Sequence, residues 1–246
     1  MGRKAFENYG KTALRDVDYT VLSGRYTTVK EAEKRIVADV AAKLALAADD
    51  DLLEIGCGVG NVLIPLSFLV RSATGLDHAN CIAKLSTRFP SAENITLLSG
   101  NFIDFEFDRT FPKILIYNLI QLLADGDEVC RFVMKAAKLL WPGGRLLVGD
   151  ILNYEKHARI ERTAVGQAWH KQFWQDVEGD RQRRGVAGLS DCIDKADYDH
   201  EFVRIDDALM FRLMAQLRSE GFESYLLPQP SDLPFGLFRE DLLVTR

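Results

Sequence analysis

Three glycines at alternate positions, Gly56, Gly58 and Gly60, follow the short apolar run Leu52-Leu53-Glu54-Ile55. A strand that ends in such a triplet presents backbone to the space above it, because glycine turns sharply and lets a ligand approach with no Cβ in the way. A helix starting directly afterwards would aim its unpaired N–H groups at the same spot. Asp77 closes the next apolar run, seventeen positions after Gly60. There its carboxylate can accept hydrogen bonds from both ribose hydroxyls of an adenosine ligand, or it can cap the helix that follows. A dinucleotide fingerprint GxGxxG would place its third glycine at position 61, but that residue is Asn61.

These residues need a rigid scaffold, and the chain alternates strand and helix signals. Apolar positions from Thr28 to Leu46 recur at helical spacing, which predicts one amphipathic helix ahead of the first strand. Strands are predicted at Leu52–Ile55, Ala73–Asp77, Ile95–Ser99, Ile114–Tyr117 and Leu146–Val148. Helices are predicted at Cys81–Phe89, closed by Pro90, and at Glu128–Leu140, stopped by Pro142-Gly143-Gly144. The alternation implies a doubly wound α/β fold with a parallel sheet. A helix over Asp206–Glu220 ends at Gly221, and the closing segments Ser224–Leu227 and Leu237–Thr245 read as an antiparallel hairpin. Between lies an insertion with Val165, Trp169, Phe173 and Val177 on one helical stripe, read as core packing with a ligand box as the alternative.

LLEIGCGVGN resembles the LExGxGxG motif of class I S-adenosylmethionine-dependent methyltransferases. The resemblance runs from about Asp50 to Asp150 and returns in GFESYLLPQP and FREDLLVTR, which look like that family's last two strands. It implies a mostly parallel seven-stranded sheet with an antiparallel terminal hairpin, and S-adenosylmethionine above the carboxyl ends of the strands, leaving as S-adenosylhomocysteine. By the same resemblance, Glu54 orients the loop and the methionine end of the cofactor. Gly56, Cys57, Gly58, Gly60 and Asn61 form the loop, and Asp77 holds the ribose with His78 nearby. Asn101 and Phe102 stand where the family usually carries an acidic residue beside adenine. Asn118 faces the sulfonium with Gln121 close by, although it can equally cap a helix, and Asp150 closes the fifth strand where acceptors dock. The expected organisation is a single domain: an N-terminal helical lid over 1–48 that carries Tyr19 and Arg25 and brings Tyr26 to the cofactor, a cofactor-binding half over 49–151, a substrate-side insertion over 152–205, and a terminal helix and hairpin over 206–246. Removing residues 1–27 should then weaken cofactor binding and leave the core folded.

Methyl transfer from a sulfonium is an in-line displacement, so alignment is the main demand on the protein. A base is needed where the acceptor is a hydroxyl or a protonated amine, and His157 and His170 in the insertion are the candidates, each with a packing or surface role as the alternative. His200 sits in a polar stretch with no feature pointing to a site. A net charge of −5 and a pI near 5.5 give no global attraction for nucleic acid, and the run Arg181, Arg183, Arg184 reads as a solvated polar loop. Four scattered cysteines suggest neither a disulfide framework nor a metal site. No apolar stretch is long enough to span a bilayer and the first residues lack a signal-peptide pattern, so a cytoplasmic protein is expected. The expected partner is a small-molecule methyl acceptor, taken through oxygen, with no nucleic acid or membrane partner; the insertion walls a substrate pocket or serves a homodimer interface. A non-catalytic cofactor-binding protein and a nicotinamide-dependent oxidoreductase are the alternatives.

Overall fold

The apolar run of the fourth strand accounts for the centre of the molecule. Ile114, Leu115 and Ile116 are all fully buried, as a strand covered on both faces requires. In the computed structural model, which describes residues 3–89, 93–192 and 203–246, seven strands form one sheet in the order β3-β2-β1-β4-β5-β7-β6. They are β1 (Asp51–Ile55), β2 (Ser72–Asp77), β3 (Ile95–Ser99), β4 (Phe111–Tyr117), β5 (Leu140–Ile151), β6 (Glu223–Pro228) and β7 (Glu240–Thr245). The first five pair in parallel, and β7 runs antiparallel to β5 and β6. The mostly parallel seven-stranded sheet with an antiparallel end is as expected.

Side chains alternate across the sheet and divide the core in two. Leu53, Ile55, Ile114, Ile116, Leu146 and Val148 face one layer, which holds α7 (Gly126–Lys138) and α10 (Asp207–Ser219). Leu52, Leu115 and Leu147 face the other, with α4 (Ile36–Leu44), α5 (Leu63–Ser67) and Leu85 of α6 (Ala79–Ser86). Each fully buried Leu or Ile contributes about 1.5–3 kcal/mol through removal from water. α1 (Arg3–Thr12), α2 (Tyr19–Leu22) and α3 (Lys30–Glu33) precede α4, while α8 (Tyr154–Glu161) and α9 (Ala164–Arg184) follow β5.

Several sequence expectations are corrected here. The helix expected over Thr28–Leu46 is broken: a 3₁₀ turn at Thr27–Val29 leads into α3, and Arg35 N–H bonds back to the Ala32 carbonyl at 3.0 Å, a tight turn that separates α3 from α4. Pro142-Gly143-Gly144 does not stop α7, which ends at Lys138; it lies inside β5, where the register against β4 shifts and Gly143 takes φ 81°. The helix after β2 runs Ala79–Ser86, and Pro90 lies outside the described residues, as does His200. Residues Gly236–Phe238 form a 3₁₀ turn, so β7 starts at Glu240 and the connection from β6 is a long one. The arginine run is no loop but the last turn of α9, with Arg183 bonded to Asp180 at 2.6 Å and Arg181 to Asp191 at 2.9 Å. Of the aromatic stripe, Phe173 and Val177 are buried against Val29 and Ala187, with Trp169 packed beside them, whereas Val165 is exposed.

Candidate active site

All three loop glycines adopt the left-handed region, with φ of 79° at Gly56, 53° at Gly58 and 85° at Gly60. The reason differs between them. A Cβ on Gly60 would lie 2.8 Å from Leu85 Cγ, so this glycine lets the loop pack on α6. A Cβ on Gly58 would meet no atom within 4 Å; its side faces empty space. That space is a partly open cavity lined by Glu54, Gly56, Cys57, Gly58, Asn61, Asp77 and Asn118. A second, smaller hollow shares Gly56 and Asp77 and adds Asn101 and Phe102. The expected loop, ribose, adenine and sulfonium positions thus converge above the carboxyl ends of β1, β2 and β4. The helix after the loop, α5, is only five residues long, so the backbone of the loop contributes more than a helix terminus.

The two acids of the site are held differently. Asp77 accepts from Gly58 N–H at 2.7 Å and from His78 N–H at 2.6 Å, so it both braces the loop and supports the start of α6. Each carboxylate oxygen keeps a further lone pair for a ligand hydroxyl. Burial pushes the Asp77 pKa up, and the two backbone N–H groups oppose this. Glu54 is 3% exposed, and its Oε2 is buried with no hydrogen-bond partner. Burial, then the nearby Asp77, raise its pKa to about 8, with Arg25 acting in the opposite sense. An orphaned carboxylate facing a cavity lacks a donor or a cation, which an amino-acid ammonium supplies.

The N-terminal segment closes the cavity, with Tyr9, Ala13, Leu22, Ser23 and Arg25 in its lining. Asn61, where a dinucleotide fold has glycine, ties the loop to this segment: its amide donates to Tyr19 O at 2.9 Å and Glu33 Oε1 at 3.0 Å, and its carbonyl accepts from Arg88 at 2.6 Å. Glu33 also accepts from Thr20 at 2.7 Å and from Ser23 at 3.1 Å. Arg25 is buried and donates to Asp150 Oδ2 at 2.8 Å. Asn118 and Asp150, at the ends of β4 and β5, both hold left-handed backbone at φ 54° and 61°. Non-glycine residues in this conformation are strained and cluster at functional sites. Asn118 donates to Ser23 O at 3.1 Å, and its carbonyl accepts from Gln121.

Several expected residues lie elsewhere. Tyr26 turns away from the cavity to pack edge-on against Phe173 and Trp174, and Arg25 takes the lining position instead. His78 sits under α1, with its Nδ1 accepting from Asn80 N–H and its ring edge-on to Phe6. Gln121 is buried behind Asn118. His157 and His170 are about half exposed on α8 and α9, where both approach Glu161, at 3.7 and 3.4 Å; neither lines the cavity. Burial lowers the His157 pKa, with Glu161 opposing. Sequence reasoning missed Tyr117 and Cys81 as lining residues; Tyr117 immediately precedes Asn118 on β4, and strand alternation was the available signal.

A family profile described as a methyltransferase domain matches residues 53–148, from β1 to the end of the parallel sheet. Among curated proteins, the chain is 30% identical over 149 residues to the 27-O-demethylrifamycin SV methyltransferase of Amycolatopsis mediterranei, covering 56% of this chain and 52% of that protein. It is 32% identical over 130 residues to the chondramide synthase of Chondromyces crocatus, covering 50% of this chain and 3% of the synthase. The chain thus spans about half the length of the first of these relatives and a small fraction of the second. In fold it is similar to phosphoethanolamine N-methyltransferase 1 of Haemonchus contortus, solved with phosphoethanolamine and S-adenosylhomocysteine: TM-score 0.69, 16% identity, 99% of this chain and 48% of that one. The N-methyltransferase NodS of Bradyrhizobium japonicum, also solved with S-adenosylhomocysteine, gives a TM-score of 0.57 at 15% identity over 98% and 97% of the two chains.

Proposed function

We propose that this chain, which belongs to the S-adenosylmethionine-dependent methyltransferase family, binds S-adenosylmethionine in the cavity between the glycine loop and the N-terminal segment and transfers its methyl group to a small-molecule acceptor. The observation that carries the reading is the pairing of Glu54 and Asp77 around the open side of Gly58. One buried carboxylate has an unmet acceptor, and the other is fixed by backbone N–H groups with lone pairs to spare. In this reading Asp77 accepts from the ribose hydroxyls, Glu54 pairs with the amino-acid ammonium, and Asn101 and Phe102 flank the adenine.

The bound sulfonium supplies an already activated methyl group. What the chain must add is alignment and the exclusion of water, and for well-oriented reactants alignment is worth on the order of 10⁵ M in effective concentration. Asn118 and Asp150, held in strained backbone at the strand ends, position the acceptor side, while Arg25 and Asn61 keep the N-terminal segment shut over it. We take the acceptor atom to be a hydroxyl oxygen, supported by the O-methyltransferase named among the relatives. The exposed positions of His157 and His170 give no support to either as the base for that hydroxyl.

The test is to incubate the protein with methyl-labelled S-adenosylmethionine and a fractionated pool of small hydroxylated metabolites. Label is expected in low-mass products, and Asp77→Ala should abolish it. Label confined to macromolecules, or none released from a cofactor that binds, would overturn the proposal.

A further inference from the structure

Besides Glu54, buried polar atoms without partners gather at one place that begins at the edge of the same pocket. Arg25 Nε, Asp150 Oδ1 and both Nε and Nη1 of Arg239 have none. The three residues form one cluster: Arg25 donates to Asp150 Oδ2 at 2.8 Å, and Arg239 Nε lies 3.6 Å from Asp150 Oδ1, beyond a good hydrogen bond. Folded proteins leave few such groups, and an unmet buried donor costs about 1–3 kcal/mol, more when charged. Two guanidiniums here share one carboxylate, with Glu33 at 3.4 Å from Arg25 on its far side. Burial lowers the Arg239 pKa; Asp150 opposes this, and the second cation, Arg25, adds to it.

The location is as telling as the chemistry. Arg239 directly precedes β7, whose Glu240 pairs with Ile151, so its guanidinium stands beyond the carboxyl end of β5, where open α/β sheets dock ligands. The guanidinium carbon lies 5.6 Å from the ring centre of Phe235. Phe235 takes φ 57°, a conformation bulky residues rarely adopt, and packs at 5.6 Å from Trp169 and 5.2 Å from Phe173. Arg25 lines the main cavity, and its guanidinium sits 5.7 Å from the ring of Tyr117, another lining residue. Arg25 thus stands at the edge of the main cavity, with Asp150 and Arg239 behind it and the packed rings of Phe235, Trp169 and Phe173 on the far side of Arg239.

Resting on the transferase reading, we propose that Arg239, together with Nε of Arg25, forms an acceptor subsite for an anionic oxygen group, a carboxylate or a phosphate, carried on an apolar or aromatic body. A planar guanidinium fork with free Nε and Nη donors fits such a group bidentately. The anion meets the orphaned donors and separates two like charges, while the aromatic residues cover the body of the molecule.

The experiment is calorimetric titration of the S-adenosylhomocysteine-loaded protein with benzoate, with inorganic phosphate and with neutral benzamide, repeated without the nucleoside. At least one anion is expected to bind and benzamide not to. Arg239→Gln should weaken the anion by about tenfold or more, and Arg239→Lys, which keeps the charge but loses the fork, should retain part of the binding. Melting temperature confirms that each variant folds. Benzoate without phosphate identifies a carboxylate, and the reverse a phosphate. S-adenosylhomocysteine binding with neither anion bound, benzamide binding as well as benzoate, or Arg239→Gln binding like the wild type would overturn the subsite alone. Anion binding without any S-adenosylhomocysteine binding would leave the subsite standing and overturn the transferase reading.

Discussion

Glu54 concentrates the conflict between stability and function at the scale of single residues. Its pKa of about 8 in the folded chain lies above its ordinary value of 4.5, chiefly through burial. An acid raised in this way contributes fully to stability below pH 4.5, and that contribution is lost as pH rises toward 8. Glu54→Gln should remove this slope, so the empty variant melts higher than the wild type between pH 6 and 8 in a pH series of thermal scans. The same variant should bind S-adenosylhomocysteine about tenfold or more weakly, because a buried ion pair with the ligand ammonium is gone. Ligand binding to the wild type at pH 7 should release protons, seen as a binding heat that changes with the ionisation heat of the buffer. A buffer-independent heat would mean that Glu54 is already ionised in the empty site. Glu54, Asp77 and the glycines were legible because backbone turns and strand ends confine them to one place. Tyr26, His78 and the two insertion histidines lie off the cavity lining, the histidines in the surface setting that was their alternative, because sequence distance from a motif says nothing about which way a side chain turns.

At the scale of elements, the N-terminal segment is more than a detachable lid. Ala5 of α1 belongs to the main core cluster, and Val21 and Leu22 of α2 are buried. Deleting residues 1–27 would therefore expose apolar core and remove Arg25 from Asp150, which costs about 3–5 kcal/mol when one partner of a buried pair is lost. The informative change is Asn61→Gly, which restores a dinucleotide-like glycine and unties the loop from Tyr19 and Glu33. It should accelerate S-adenosylhomocysteine dissociation several-fold in stopped-flow chase experiments and shift the melting temperature little. An unchanged off-rate would show that the Asn61 contacts do not hold the segment. Strand and helix order was readable from alternating periodicity, but element ends were not. Pro142-Gly143-Gly144 carries every signal of a helix stop, yet it is taken up as an irregularity within β5, where Gly143 N–H bonds to the Arg246 carbonyl at 2.7 Å. A terminal residue far away in sequence decided that conformation.

For the whole molecule, stability rests on the two-sided burial of the central strands, and the site rests on what lies beyond their ends. Leu115 is fully buried on β4 in the layer that contains α4 and α5, with no polar role. Leu115→Ala should cost about 2–5 kcal/mol, read as a lower denaturant midpoint. Ligand affinity of the folded fraction should stay near that of the wild type, because the site depends on strand-end geometry. Loss of affinity in parallel with stability would mean that packing at the sheet centre sets the site directly. The mostly parallel seven-stranded sheet with its antiparallel end was legible through the resemblance carried by the glycine motif and the terminal strands, whereas the strand order came only with the structure. The polar cluster at Arg25, Asp150 and Arg239 was not legible, for it joins residues far apart in the chain, Arg25 lying 125 positions before Asp150, and across a change of strand direction.

The central claim is that the cavity above Gly58 holds S-adenosylmethionine by its ribose and its amino-acid end. Calorimetric titration with S-adenosylmethionine and S-adenosylhomocysteine, with NADH as control and Asp77→Ala as the paired variant, tests it most directly. Saturable one-to-one binding of both sulfur compounds, lost in the variant and absent for NADH, is the expected result. Heat from NADH with none from the sulfur compounds, or equal binding in the variant, would contradict the account.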